Sequence, residues 1–269
     1  MSWIAELAAW SMLAVGVLLF AVQIAAREIG YWFGRRRAQD EHTESAGVVV
    51  GGMLGLLAFV LALTLSFANN RFAERRAGSL AEANAIGTAW LRAEAVDHPR
   101  AAAIARLLED YARVRAEFVQ TGRNTAALDA ANARTNQLQS EIWGQMTGLV
   151  REQTNPLTVS LMSSLNETFD ASTAERFAYA FTLPAQLFWL LIGMALLGML
   201  ALGYQLGLRG RPLRLLAALL TAMWTIVIVS ILDLAAPRLG SWRTSAAAYE
   251  WTIGGFRGGV TIPPMPQRP

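Results

Sequence analysis

One stretch limits this chain more than any other: "AGVVVGGMLGLLAFVLALTLSFANNRFAERR", Ala46 to Arg76. Its first 23 residues, as far as Ala68, carry no charge. An α-helix rising 1.5 Å per residue needs roughly 20 residues to cross a hydrocarbon core of about 30 Å. The run then turns polar at Asn69-Asn70-Arg71 without a proline. Between Ser66 and Glu82 the one helix-breaking residue is Gly78, which costs about 1 kcal/mol relative to alanine. The pattern predicts a helix that leaves the membrane and continues into water as a single rod.

Three further runs have the same character: Ile4 to Ala26 with Glu6 as its single charge, Ala185 to Tyr204, and Leu215 to Leu232. With 54% hydrophobic and 16% charged residues, a chain of 269 residues belongs to the membrane class. The first run lacks a basic leading segment, exceeds the length of a signal h-region and precedes no small-residue cleavage site, so it reads as a retained anchor. Glu6, near its start, reads as interfacial. No alternating strand pattern and no long repeat is present.

The predicted fold is therefore all-α, with four transmembrane helices and a helical bundle inserted between the second and third. Residues 1–68 hold the first two spans, 69–182 the soluble helical domain, 183–236 the last two spans and 237–269 a C-terminal tail. The central segment has 12 Arg against 13 Asp and Glu, as an ordinary soluble bundle would. Apolar residues recur at three- and four-residue steps through Ile104-Leu108-Tyr111-Phe118, Leu138-Ile142-Met146-Leu149 and Leu157-Leu161-Leu165-Phe169. Helix starts are marked at Pro99, at Thr125 after Asn124, and at Pro156 after Asn155.

Around a 3.6-residue turn, Gly51, Gly55, Ala58, Ala62, Ser66 and Asn69 fall on one narrow stripe of the second span. Such a stripe either lines a pore, where low bulk leaves room and Ser66 and Asn69 offer hydrogen bonds to an ion, or lets another helix pack closely through Gly51-x-x-x-Gly55. Arg71, Arg75 and Arg76 follow as candidate pore-mouth charges. Asp233, at the end of the fourth span, reads as a helix-end cap or a partner of Arg238. Glu82, Asn84 and Arg92 are expected to hydrogen-bond between neighbouring helices, and Asn166, Asp170 and Arg176 to clasp the bundle where it meets the third span.

Nothing supports an enzyme. His42 and His98 are 56 positions apart, no cysteine exists, and the glycine-rich "GVVVGGMLG" lies inside an apolar run with no following Lys-Ser or Lys-Thr. No cofactor or metal is expected. All 23 basic residues are arginine and the net charge is +3, which suits contact with lipid headgroups and not with nucleic acid.

Five ordered motifs carry a family resemblance: "EANAIGTAWLRAE" from Glu82, "SLNETFD" from Ser164, Pro184 opening the third span, "GYQLG" from Gly203, and "LDLAAPRLG" from Leu232. Together they resemble the bacterial DUF4239 proteins, also labelled bestrophin-like, over Glu44 to Gly240. One departure is Ala235, where that family commonly carries a second acid. A more distant similarity, through "LSFANNRFAERR", is to bestrophins, pentameric anion channels whose second transmembrane helix lines the pore. The resemblance implies a homo-oligomeric ion channel of the bacterial inner membrane, with membrane lipids and small ions as partners. It also implies a cytoplasmic soluble domain with both termini inside, a choice on which arginines near the span ends are almost evenly divided. The other function open to this pattern is a non-conducting membrane sensor or interaction module.

Overall fold

A computed structural model of the chain describes residues 12–37, 43–122, 124–180, 184–238 and 242–261. Glu6, His42 and the last part of the tail lie outside them. Within them are eight helices and no strand: α1 (Met12–Arg36), α2 (Thr43–Glu94), α3 (Pro99–Gln120), α4 (Thr125–Glu152), α5 (Pro156–Ala180), α6 (Ala185–Leu208), α7 (Arg214–Ala235) and α8 (Ala247–Phe256). Four of these, α1, α2, α6 and α7, are long and apolar enough to cross a membrane. Helix α2 is 52 residues long and unbroken, roughly 78 Å at the α-helical rise.

The bundle helices begin where their capping chemistry dictates. His98 Nδ1 accepts from the Arg100 N–H ahead of Pro99, Asn124 Oδ1 from the Ala127 N–H at 3.1 Å, and Asn155 Oδ1 from the Thr158 N–H at 2.9 Å. The cap at Asn155 also explains a difference from the expected stripe. Thr158 is buried in the cap turn, so Leu157 faces outward while Leu161 and Leu165 enter the core.

The chain forms two compact units, Met1–Phe72 with Thr182–Arg243, and Ala73–Phe181 with Thr244–Pro269. In the first, α1 and α6 touch backbone to backbone. A Cβ on Gly30 or Gly34 would overlap the carbonyl of Leu200 or Tyr204, and one on Gly203 or Gly207 would overlap that of Arg27 or Tyr31. The pair is a reciprocal Gly-x-x-x-Gly contact, the means by which helices without a hydrophobic driving force gain dispersion energy. Side chains of Leu57, Leu61, Met199, Ile228 and Ile231 fill the remaining interior. A buried bond from Gln23 Nε2 to Thr225 Oγ1 (3.0 Å) ties α1 to α7. Outward-facing Val17, Leu56, Phe59, Leu190, Leu219 and Ile226 leave an apolar exterior of the kind a bilayer covers.

In the second unit, Ile86, Trp90, Ile104, Leu108, Leu138, Ile142 and Leu165 form the core. Residues 247–256, part of the tail expected from the sequence, form the helix α8 of this unit. Phe256 stacks on Trp90 with ring centroids 5.0 Å apart, and Thr252 Oγ1 donates to the Ala83 carbonyl at 3.3 Å.

Candidate functional site

Within the first unit, α2 is the least covered span: 17% of its most apolar window is buried, against 22, 28 and 33% for α1, α6 and α7. Its inner face, Val50, Leu57, Leu61 and Ala68, packs against the unit. Its opposite face is open. Gly51, Gly55, Ala58, Ala62, Ser66 and Asn69 are all exposed, and no atom lies within 4 Å of where a Cβ on Gly51 or Gly55 would stand. Among the described residues, these glycines therefore pack against no other element. The close-approach glycines are Gly30, Gly34, Gly203 and Gly207.

The three arginines beyond the apolar run do not act alike. Arg71 lies over the Phe67 ring at 5.0 Å and Arg76 is exposed. Arg75, expected at a pore mouth, is 1% exposed instead, and the correction has a plain cause: on a continuous helix it falls on the face that Ser79, Glu82 and Ile86 turn toward the core. Burial pulls its pKa below the usual arginine value against the opposing pull of Tyr179, Glu175 and Glu74.

That core holds a buried charge cluster. Arg115 gives Glu82 two hydrogen bonds, Nε to Oε1 at 2.5 Å and Nη2 to Oε2 at 3.0 Å, and Tyr249 Oη donates to the same Oε2 at 2.5 Å. Burial disfavours the charge on Arg115, but the carboxylate beside it outweighs that, and its pKa lies above the ordinary value. Burial and then the Glu82 charge hold Tyr249 firmly protonated, and the same two causes push Tyr111 up to about 12. A second buried carboxyl, Glu175, accepts from Ser79 Oγ and lies against Gly78, where a Cβ would displace it. Burial and the neighbouring Glu82 raise its pKa to about 7, against the hydrogen bond from Ser79 and the charges of Arg115 and Arg75.

The other residues singled out from the sequence are dispersed. Arg92 Nη1 donates to the Ser160 carbonyl of α5 at 2.9 Å and Glu82 accepts from Arg115 of α3, both bonds between helices, whereas Asn84 is exposed. Arg176 reaches Asn136 Oδ1 at 3.0 Å, and Asn166 and Asp170 face outward, so those three form no common clasp. Asp233 is 7% exposed and accepts from the Trp242 N–H at 3.4 Å. Among the described residues no group of three or more metal-ligating side chains converges. Arg115, Glu175 and Tyr249 went unnoticed in the sequence, although Arg115 lies on the apolar stripe of α3 between Tyr111 and Phe118, where a charge needs a buried partner.

These features define a polytopic α-helical membrane protein whose second span keeps one face uncovered. Residues 5–249 match the family model described as the bestrophin-like domain, and the chain belongs to that family. No curated protein matches the sequence. The fold is that of a bacterial bestrophin homologue from Klebsiella pneumoniae, at 15% identity over 91% of this chain and 98% of that one with a TM-score of 0.63. A point variant of the same homologue gives 15% identity, coverage of 92% and 98%, and a TM-score of 0.64. A structure described as a membrane protein variant gives 17% identity, coverage of 93% and 98%, and a TM-score of 0.61.

Proposed function

We propose that this protein is a homo-oligomeric ion channel, selective for anions, in which copies of the α2 span surround a conduction path. The observation that carries the reading is the open stripe from Gly51 to Asn69, lightly polar, exposed at each of its six positions and uncovered by any other described element. In a bilayer, a face of glycine, alanine, serine and asparagine gains little from lipid, and lining a hydrated path is one of its two uses. The helical unit built on the remainder of α2 lies outside the membrane, on the cytoplasmic side, as a vestibule. Exposed Arg76 supplies positive charge there and raises the local anion concentration, an effect that salt screens. The bestrophin-like family supports the choice of anions over cations.

The test is chloride efflux from liposomes bearing purified protein. Wild type passes chloride, and Ser66→Trp, which places an indole on the open stripe, reduces the flux without changing the assembled mass. Equal flux in the two proteins removes the α2 stripe as the path, and no flux in either, or a particle no larger than a dimer, overturns the proposal in favour of a non-conducting sensor.

A further inference from the structure

A groove of about 650 Å³ opens on the back of the first unit, between the α1–α6 pair and α2. It is walled by Phe33, Val49, Val50, Met53 and Leu200, with the small side chains of Ala46 and Ala201 also on its lining. Val50 lies on the covered side of α2, so this groove is distinct from the stripe that faces away. One end is entirely apolar. The other reaches the rim where α1 ends, α2 begins and α6 ends, and there the lining includes Arg37 and Tyr204.

The rim is strongly basic. Arg35, Arg36 and Arg37 close α1, and Arg209 and Arg211 follow α6. Arg209 is not on the lining but reaches the residue next to Ala46: its Nη2 and Gln205 Nε2 lie 3.4 and 2.8 Å from the position of a Cβ on Gly47, so glycine there lets both side chains cross the start of α2. The one acid on this rim among the described side chains is Glu28, and it is already shared by Arg27 and Arg214. Asp40 and Glu41 lie in the connection outside the described residues, and Glu44 at the start of α2 is a further acid whose side chain is not described. Arg36 is occupied in a different way, its guanidinium 3.4 Å above the Trp32 ring.

We infer that this groove is a binding site for one anionic phospholipid, with an acyl chain between α1, α2 and α6 and the headgroup phosphate held by Arg37 and Arg209. The chemistry is complementary at both ends. An apolar slot within a membrane takes a hydrocarbon chain, and guanidinium groups at its mouth meet a phosphate in paired, charge-assisted hydrogen bonds. The site is independent of the conduction path and stands whether or not the protein passes ions.

The experiment is native mass spectrometry of the full chain in detergent, titrated with phosphatidylglycerol, phosphatidylcholine or inorganic phosphate alone. Wild type retains phosphatidylglycerol in preference to phosphatidylcholine, and inorganic phosphate does not compete. The double variant Arg37→Gln, Arg209→Gln loses the preference by roughly 25-fold, each guanidinium near an anionic surface being worth about fivefold. Ala201→Trp, which fills the slot, loses both lipids. Arg36→Gln keeps the preference. Equal retention of the two lipids by wild type overturns the inference even if a variant fails to fold. So does an unchanged preference in the double variant, or a change of oligomeric mass in Ala201→Trp with no loss of lipid, which would assign the groove to a second copy of the chain.

Discussion

The carboxyl of Glu175 shows how much one buried side chain commits the helical unit to. It sits among Arg75, Ser79 and Glu82 of α2, Arg115 of α3, Tyr179 of its own helix and Tyr249 of α8. Two carboxyls and two guanidiniums balance in charge, but Arg115 is engaged bidentately by Glu82, which leaves Glu175 the weaker share. Its pKa of about 7 lies above the unfolded value of 4.5, so the native state holds a proton that the unfolded chain has released. The stabilisation this proton gives is complete below about pH 4.5 and is lost as pH rises through 7, amounting to about 3 kcal/mol at most. Glu175→Gln keeps the neutral hydrogen-bonding shape and removes the titration. Thermal unfolding of the two proteins should therefore diverge with pH across that window, wild type losing stability relative to the variant. A difference that stays constant with pH would show that Glu175 does not titrate there. This site was hidden from the sequence because the buried face of α5 changes from Leu161 and Leu165 to Thr168, Ser172, Glu175 and Tyr179. Apolar periodicity ends while burial continues. Glu82 was visible, but its partner lies 33 residues away, and helical spacing says nothing about pairs across helices.

At the level of elements, the spans and the rod were legible, and the way the spans pack was not. Four apolar runs of sufficient length, and three bundle helices beginning at Pro99, Thr125 and Pro156, follow from rise per residue and capping chemistry. The spanning helices contain Gly-x-x-x-Gly patterns starting at Gly30, Gly47, Gly51 and Gly203, and nothing local distinguishes the two that meet backbone to backbone, at Gly30 and Gly203, from the others. The structure separates them by what surrounds each Cα. Gly34→Leu drives a side chain into the backbone of α6 at Tyr204 and should destabilise the protomer by about 3 kcal/mol or more, the upper range for overpacking. Gly55→Ala meets open space, and should leave the protomer unchanged or stabilise it by up to about 1 kcal/mol through helix propensity. Unfolding in detergent at low protein concentration measures both. A loss at Gly55→Ala equal to that at Gly34→Leu would mean that α2 is packed on a face the chain leaves uncovered.

For the whole molecule, the unresolved tension is between charge and kinship. The basic rim of Arg35, Arg36, Arg37, Arg209 and Arg211 lies on the short connections, where the positive-inside rule acts most strongly, and by itself it would hold that rim in the cytoplasm and the helical unit outside. The orientation proposed above is the reverse. A phospholipid in the proposed groove would offset the charge of Arg37 and Arg209, two of these five arginines, and so weaken the bias without removing it. The proposed orientation, with the helical unit cytoplasmic, is open to a direct test. The chain has no cysteine, so single reporters can be placed cleanly: Ser140→Cys on the exposed side of α4, and Arg211→Cys on the rim. A membrane-impermeant maleimide applied to spheroplasts should label Arg211→Cys at once, and should reach Ser140→Cys after lysis. Labelling in the opposite order would place the helical unit outside, restore the arginine bias as the determinant of topology, and move the proposed vestibule to the external face.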